Sequence, residues 1–177
     1  MNSSEKLINR VAESSLITLD LEELYISSED KAIFDLKDYL FMGLILKEKH
    51  FRESLKAIDW EQYRSKNVAI HCSADAIIPI WAYMLIGVYL EPVAQRFYFC
   101  EPNQIDEKIF FELLSALDIT RYIDQRIIIK GCSNRPVPVA AYLEITRKLR
   151  PVVRSLMYGE ACSNVPLYKQ KPVAMHS

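Results

Sequence analysis

From Asn67 onward the chain alternates short apolar runs with segments of helical periodicity, and nothing else in the sequence restricts its fold as much. Residues 68–72, 96–100, 126–131 and 152–158 read as strands, and residues 77–90, 105–117 and 138–149 read as the helices between them. Strand and helix in turn at this spacing require right-handed crossovers and parallel strands. The predicted fold class is α/β: a single three-layer domain with a mostly parallel sheet and helices on both faces. The first helix is expected to bury Ile77, Ile80, Trp81, Met84, Leu85 and Val88, and the second Ile105, Ile109, Phe110, Leu113 and Leu114.

Ahead of Asn67 the pattern is looser. Leu7, Ile8, Val11 and Ala12 share one helical face, with Ser3 or Ser4 as cap, and predict an N-terminal helix ending near Ser14. Ile17, Leu19 and Leu21 alternate with polar residues as a half-buried strand does. A second strand at residues 32–34 lies close enough to pair with it as a short hairpin. Asp35 then caps a long helix reaching about Ile58, with Leu36, Tyr39, Leu40, Gly43, Leu44, Phe51 and Leu55 inward and the charges at residues 47–53 on a solvated face. The domain is expected to span residues 1–168, with residues 169–177 as a flexible tail.

Composition removes several classes of function. A chain of 177 residues, half of them apolar, supports one core. With 22 basic and 23 acidic residues its formal charge is −1, so no net field holds nucleic acid or an anionic bilayer. Residues 1–6 are polar and acidic, unlike a secretory signal, and a cytoplasmic protein is expected. The apolar stretch at residues 74–90 is interrupted by Asp75, Pro79 and Gly87 and is shorter than the roughly 20 residues that cross a membrane. Four glycines, with no GxGxxG or P-loop, argue against a nucleotide enzyme, and no Ser, His, Asp order suggests a hydrolase.

The four cysteines fall where the predicted strands end, along the rim on which open α/β sheets bind ligands. Three share a phrase: Cys72-Ser73-Ala74-Asp75, Cys132-Ser133-Asn134-Arg135 and Cys162-Ser163-Asn164-Val165. A thiol just before a helix meets the positive end of its dipole, which favours the thiolate that binds metal or attacks electrophiles. No CxxC pair is present, so one loop cannot chelate a metal alone, and Cys72, Cys132 and Cys162 are expected to converge as cofactor or metal ligands. Asp75 and Glu160 are candidates for a fourth ligand or a proton carrier. Cys100 lacks the serine and reads as core, as a small buried thiol often does. His71 adjoins Cys72 on a strand, where neighbours point to opposite faces; His50 and His176 have no sequence partner.

The run from Cys72 to Met84, followed by Gly131-Cys132-Ser133, Pro136-Val137-Pro138, the run from Glu144 to Pro151 and Gly159-Glu160-Ala161-Cys162-Ser163, resembles the Bacteroidetes family called domain of unknown function 2480 over nearly the whole chain. That resemblance implies that the three Cys-Ser loops belong to the family pattern and Cys100 does not. It also implies genes near iron–sulfur cluster assembly genes, with assembly proteins as partners and iron as the metal.

Two readings follow. One is a thiolate protein holding an iron–sulfur cluster or zinc on Cys72, Cys132 and Cys162, accessory to iron–sulfur metabolism. The other is a non-catalytic interaction module with structural cysteines, in which tyrosines and phenylalanines on helix surfaces leave room for a homodimer. A third reading, thiol chemistry by one activated cysteine with Asp75 or Glu160 as proton carrier, ranks behind both because no histidine is placed to activate a thiol, and enzymatic activity is left open.

Overall fold

A computed structural model describes residues 16–25, 30–131, 134–135 and 137–171. The expected N-terminal helix and most of the expected tail lie outside the described residues. The chain divides into two compact units, a central one of Ile26–Phe110 and a flanking one of Met1–Tyr25 and Phe111–Ser177. Where one sheet was expected there are two.

The central unit holds β2 (Lys31–Asp35), α1 (Glu48–Ala57), β3 (Asn67–His71), α2 (Ile80–Leu90) and β4 (Arg96–Phe99), its strands parallel in the order β2-β3-β4. The flanking unit holds β1 (Leu16–Leu19), β5 (Arg126–Lys130), α4 (Val139–Leu149), β6 (Ser155–Glu160) and β7 (Ser163–Lys169). Its order is β1-β5-β6-β7, parallel except for β7, which returns antiparallel on β6. The division between units falls within α3 (Ile105–Ala116). The sheets are thus mostly parallel, and the chain is of the α/β class.

Three expectations need correction. β1 and β2 form no hairpin, because each runs parallel to a strand later in the chain, β1 to β5 and β2 to β3. An aspartate, just after β1 and at the end of β2, turns the backbone into a short 3-10 helix by accepting a later N–H: Asp20 Oδ1 from Glu22 and Asp35 Oδ1 from Lys37, both at 2.9 Å. The single helix expected from Asp35 to Ile58 is broken as well. Met42 and Gly43 both adopt positive φ, 52° and 72°, and close a turn bridged by Phe41 and Ile45, so α1 starts only at Glu48. Residues after Tyr158 were expected to be loop and tail, but they complete β6 and form β7.

The most informative departure concerns α2. It buries Ala82, Ile86 and Leu90, while four of the residues expected inward, Ile77, Ile80, Met84 and Val88, are exposed. The helix is apolar on every side, so period alone could not choose its inner face. In α3 the expectation holds, with Ile105, Ile109, Phe110 and Leu114 buried.

The chain repeats one pattern, whose second copy begins in α3, across the division between the units. At a constant shift of 59 residues Phe51 matches Phe110, Leu55 Leu114, Asp59 Asp118, Tyr63 Tyr122, Ile70 Ile129 and Pro79 Pro138, and the inner stripe Ala82, Ile86, Leu90 matches Ala141, Ile145, Leu149. Strands β3 and β5 and helices α2 and α4 begin and end on matched residues. The leading strands match at a shift of 15, Asp20 to Asp35. The two copies are therefore interleaved: the flanking copy starts, the central copy is completed, and the flanking copy resumes. Because Ile86 and Ile145 occupy the same fully buried position, Ile86→Ala and Ile145→Ala should each cost about 2–5 kcal/mol, measured by urea unfolding.

Candidate functional site

The carboxyl ends of the strands carry the cysteines, and the structure separates their environments. Cys72 follows β3, is half-buried, and donates its S–H to the Ala74 carbonyl at 3.5 Å. Cys100 follows β4 and is buried, which raises its thiol pKa, as its reading as core anticipates. Cys162 is exposed in the turn between β6 and β7. No helix follows Cys162, so the dipole expected to activate it is missing there. Cys132 lies outside the described residues. Cys72 belongs to the central unit and Cys162 to the flanking one. Among the described residues no group of three or more His, Cys, Asp and Glu side chains is placed to hold a metal ion. Asp75 is exposed beyond Cys72, and Glu160 ends β6 beside Cys162. In the repeat Cys72 matches Gly131 and Cys132 matches Ser73, so the shared Cys-Ser phrase is one residue out of register and is not inherited from the duplication.

What the two copies do share at this rim is an aspartate facing the last residue of the middle strand. In the flanking unit Asp20 Oδ2 accepts from Lys130 Nζ at 2.6 Å. The lysine hydrogen bond holds the Asp20 carboxyl below its ordinary value, against partial burial, and raises Lys130 in turn. In the central unit the matched residues are Asp35 and His71, with Nε2 3.7 Å from Oδ2. His71 is 8 % exposed, and its Nδ1 is 3.3 Å from Glu101 Oε2 without hydrogen-bond alignment. Burial pushes the Asp35 carboxyl up, but hydrogen bonds from the Ser73 hydroxyl and from the Ser73 and Lys37 N–H groups prevail and hold it below its ordinary value. An aromatic pair recurs behind each rim: Tyr83 with Phe99 at 5.1 Å, and Tyr142 with Tyr158 at 5.7 Å, both edge to face. Asp20 and Lys130 satisfy one another as a structural cap does, whereas His71 Nδ1 is buried with no hydrogen-bond partner among the described residues.

A second feature was missed in the sequence. The outer face of α2 presents Ile80, Met84 and Val88 at 74, 69 and 68 % exposure, extended by Ile77 before the helix. β4, on which α2 lies, adds Phe97 and Phe99; the Phe97 ring passes so close to Gly87 that a Cβ there would stand 3.3 Å from it. β4 is also an edge strand, whereas its counterpart β6 is covered by β7. On α4 the matched residues are Val139, Leu143 and Arg147, the last paired with Glu144, so a charge interrupts the stripe. The sequence signal was available: a helix apolar on all sides must cover more than one face.

The chain matches, over residues 5–170, a family described as a protein of unknown function, DUF2480. It belongs to that family. No curated protein and no solved structure matches it. Membership in DUF2480 supplies no activity, so function in this chain rests on its own surfaces. Among the described residues no helix is long and apolar enough to cross a membrane.

Two measurements check the rim. The thiols should alkylate in the native protein in the order Cys162, then Cys72, with Cys100 protected until unfolding; mass mapping of labelled peptides reads this order directly. The Asp20–Lys130 pair should stabilise the fold fully above the ordinary carboxylate value of 3.8 and below the ordinary lysine value of 10.5. Its contribution fades as pH falls through the lowered Asp20 value or rises through the raised Lys130 value. The difference in Tm between wild type and Asp20→Asn should therefore be level from about pH 5 to 9 and shrink below about pH 4.

Proposed function

We propose that the chain is a non-catalytic interaction module that pairs with a second copy of itself through the outer face of α2 and the free edge of β4. One observation carries this reading: α2 is apolar all round but covered on one side only, beside a strand edge that the other copy of the fold covers with an antiparallel strand.

Each large apolar side chain left in water forgoes about 1.5–3 kcal/mol that burial would return, and a contiguous group of them marks a contact surface. The edge strand β4, with phenylalanines at 97 and 99, lies beside that surface, and in the flanking unit the matched strand β6 has an antiparallel neighbour. Two β4 strands laid antiparallel about a two-fold axis satisfy both requirements, since an isologous contact joins a patch to itself. The patch suits such self-contact, because its stripe is uncharged where the matched stripe of α4 carries Arg147. The cysteines then need no shared chemistry: Cys100 fills core, and Cys72 is held by a local carbonyl.

Sedimentation of the full chain tests the proposal. Wild type should sediment as a dimer, and Met84→Lys with Val88→Arg should sediment as a monomer with unchanged circular dichroism; residue 147 already shows that arginine is tolerated at the Val88 position. Leu143→Lys on α4 should leave the dimer intact. A wild-type monomer at about 100 µM, or a dimer that survives both α2 substitutions, overturns it. The rival reading, a zinc or iron–sulfur protein using Cys72, Cys132 and Cys162 with Asp75 or Glu160, requires stoichiometric metal or acid-labile sulfide in protein purified without oxygen, and the interaction reading requires neither.

A further inference from the structure

A cavity of about 860 Å³ opens on the flanking unit at the end of its sheet remote from the Cys162 turn, where β5 and β6 begin and β7 ends. Its volume lies in the range of small-molecule sites. Arg126, Arg154, Lys169 and Lys171 line it, against one carboxylate, Asp124. Among the described residues none of these four cations has a side-chain ion pair or hydrogen bond, although the chain as a whole carries a formal charge of −1. Ser155, also lining the cavity and opposite Lys169 in the β6–β7 register, keeps its hydroxyl oxygen buried with no partner among the described residues.

The internal repeat separates what the fold needs here from what it does not. At the matched positions of the central unit Arg126 is Asn67, Arg154 is Gln95 and Asp124 is Ser65. Arg96 stands in turn where the cavity has Ser155, so the central strands also begin on a cation, and what sets the flanking unit apart is that four cations line one concave space with a single carboxylate. Four unneutralised cations gathered around one concave space repel one another unless a polyanion joins them. Two arginines add planar forks that match phosphate oxygens two at a time.

We propose that this cavity binds a small ligand bearing a diphosphate or longer polyphosphate group, held by Arg126 and Arg154 with Lys169 and Lys171 closing around it. The inference is independent of the dimer, which uses the other unit. A concave site favours a compact polyanion over a duplex, which calls for a basic stripe on a basic protein.

Calorimetric titration of the full chain with sodium pyrophosphate at about 0.15 M ionic strength tests it. Saturable one-site binding is expected, weakened at least about tenfold in Arg126→Asn and again in Arg154→Gln, with unchanged unfolding temperature, since both arginines are exposed and unpaired among the described residues. Lys171→Gln, beyond the end of β7, supplies a variant outside the sheet and should also weaken binding. No saturable heat up to about 10 mM, equal affinity in the double arginine variant, or displacement by chloride at the same ionic strength overturns the proposal. Tighter, arginine-dependent binding of a DNA duplex would overturn it in favour of nucleic acid.

Discussion

The fold depends on one packing contact made twice: a helix that follows the middle strand lays Ala, Ile and Leu, four residues apart, against the sheet. Ala82, Ile86 and Leu90 do this in the central unit, and Ala141, Ile145 and Leu149 in the flanking one, all fully buried. The alanine lets the helix approach at its first turn, and the leucine closes the far end. Both helices start after a proline, Pro79 or Pro138, where a missing N–H costs no hydrogen bond. Once that stripe is set, the opposite stripe of each helix must face outward. In α4 part of it is charged; in α2 it is apolar, and the proposed dimer rests on this difference.

A second repeated device orders the leading strands. Each ends at an aspartate that caps a 3-10 turn and reaches across to the last residue of the middle strand, joining two parallel neighbours far apart in sequence. Where the partner is Lys130, the contact is a close ion pair. Where it is His71, the ring is nearly buried between Asp35 and Glu101, and Asp35 turns its other oxygen to the Ser73 backbone. The same position thus serves the same architectural end with different chemistry, and the loop that carries Cys72 is tied to β2 by it.

Much of the architecture could be read from the residues, and the failures have physical causes. Alternating periods between Asn67 and Tyr158 place the strands and α-helices there to within a few residues, because each strand is short, apolar and bounded by a turn, whereas β7 beyond them was missed. Division into two sheets could not be read, since period sets what an element is and not which element it pairs with. The helix expected from Asp35 failed at Met42 and Gly43, where two successive positive φ values override good helical periodicity on either side. The inner face of α2 failed because Ile80, Met84 and Val88 are as apolar as Ala82, Ile86 and Leu90. Comparing the sequence with itself would have found that face, since Arg147 on α4 marks the outer stripe directly. The cysteine phrase drew attention through its recurrence, yet its register disagrees with that of the duplication by one residue.

A duplicated fold within one chain is an internal control, because the two copies meet the same packing demands. Where matched residues agree, as at Tyr63 and Tyr122 or Ile70 and Ile129, folding alone accounts for them. Where they differ in charge at equal exposure, the fold has tolerated both, and the reason for the difference lies outside it. Val88 against Arg147 is such a place, and so is Gln95 against Arg154. The first leaves a helix uncharged beside an edge strand, and the second places a charge on the lining of one cavity. The copies thus differ by surface: the central unit is apolar on the outer face of α2, beside an edge strand, and the flanking unit lines a pocket with four cations where β6 and β7 pair. In the flanking unit β7 serves both ends of that divergence, since it covers the edge that would otherwise seek a partner and supplies Lys169 to the cavity it encloses.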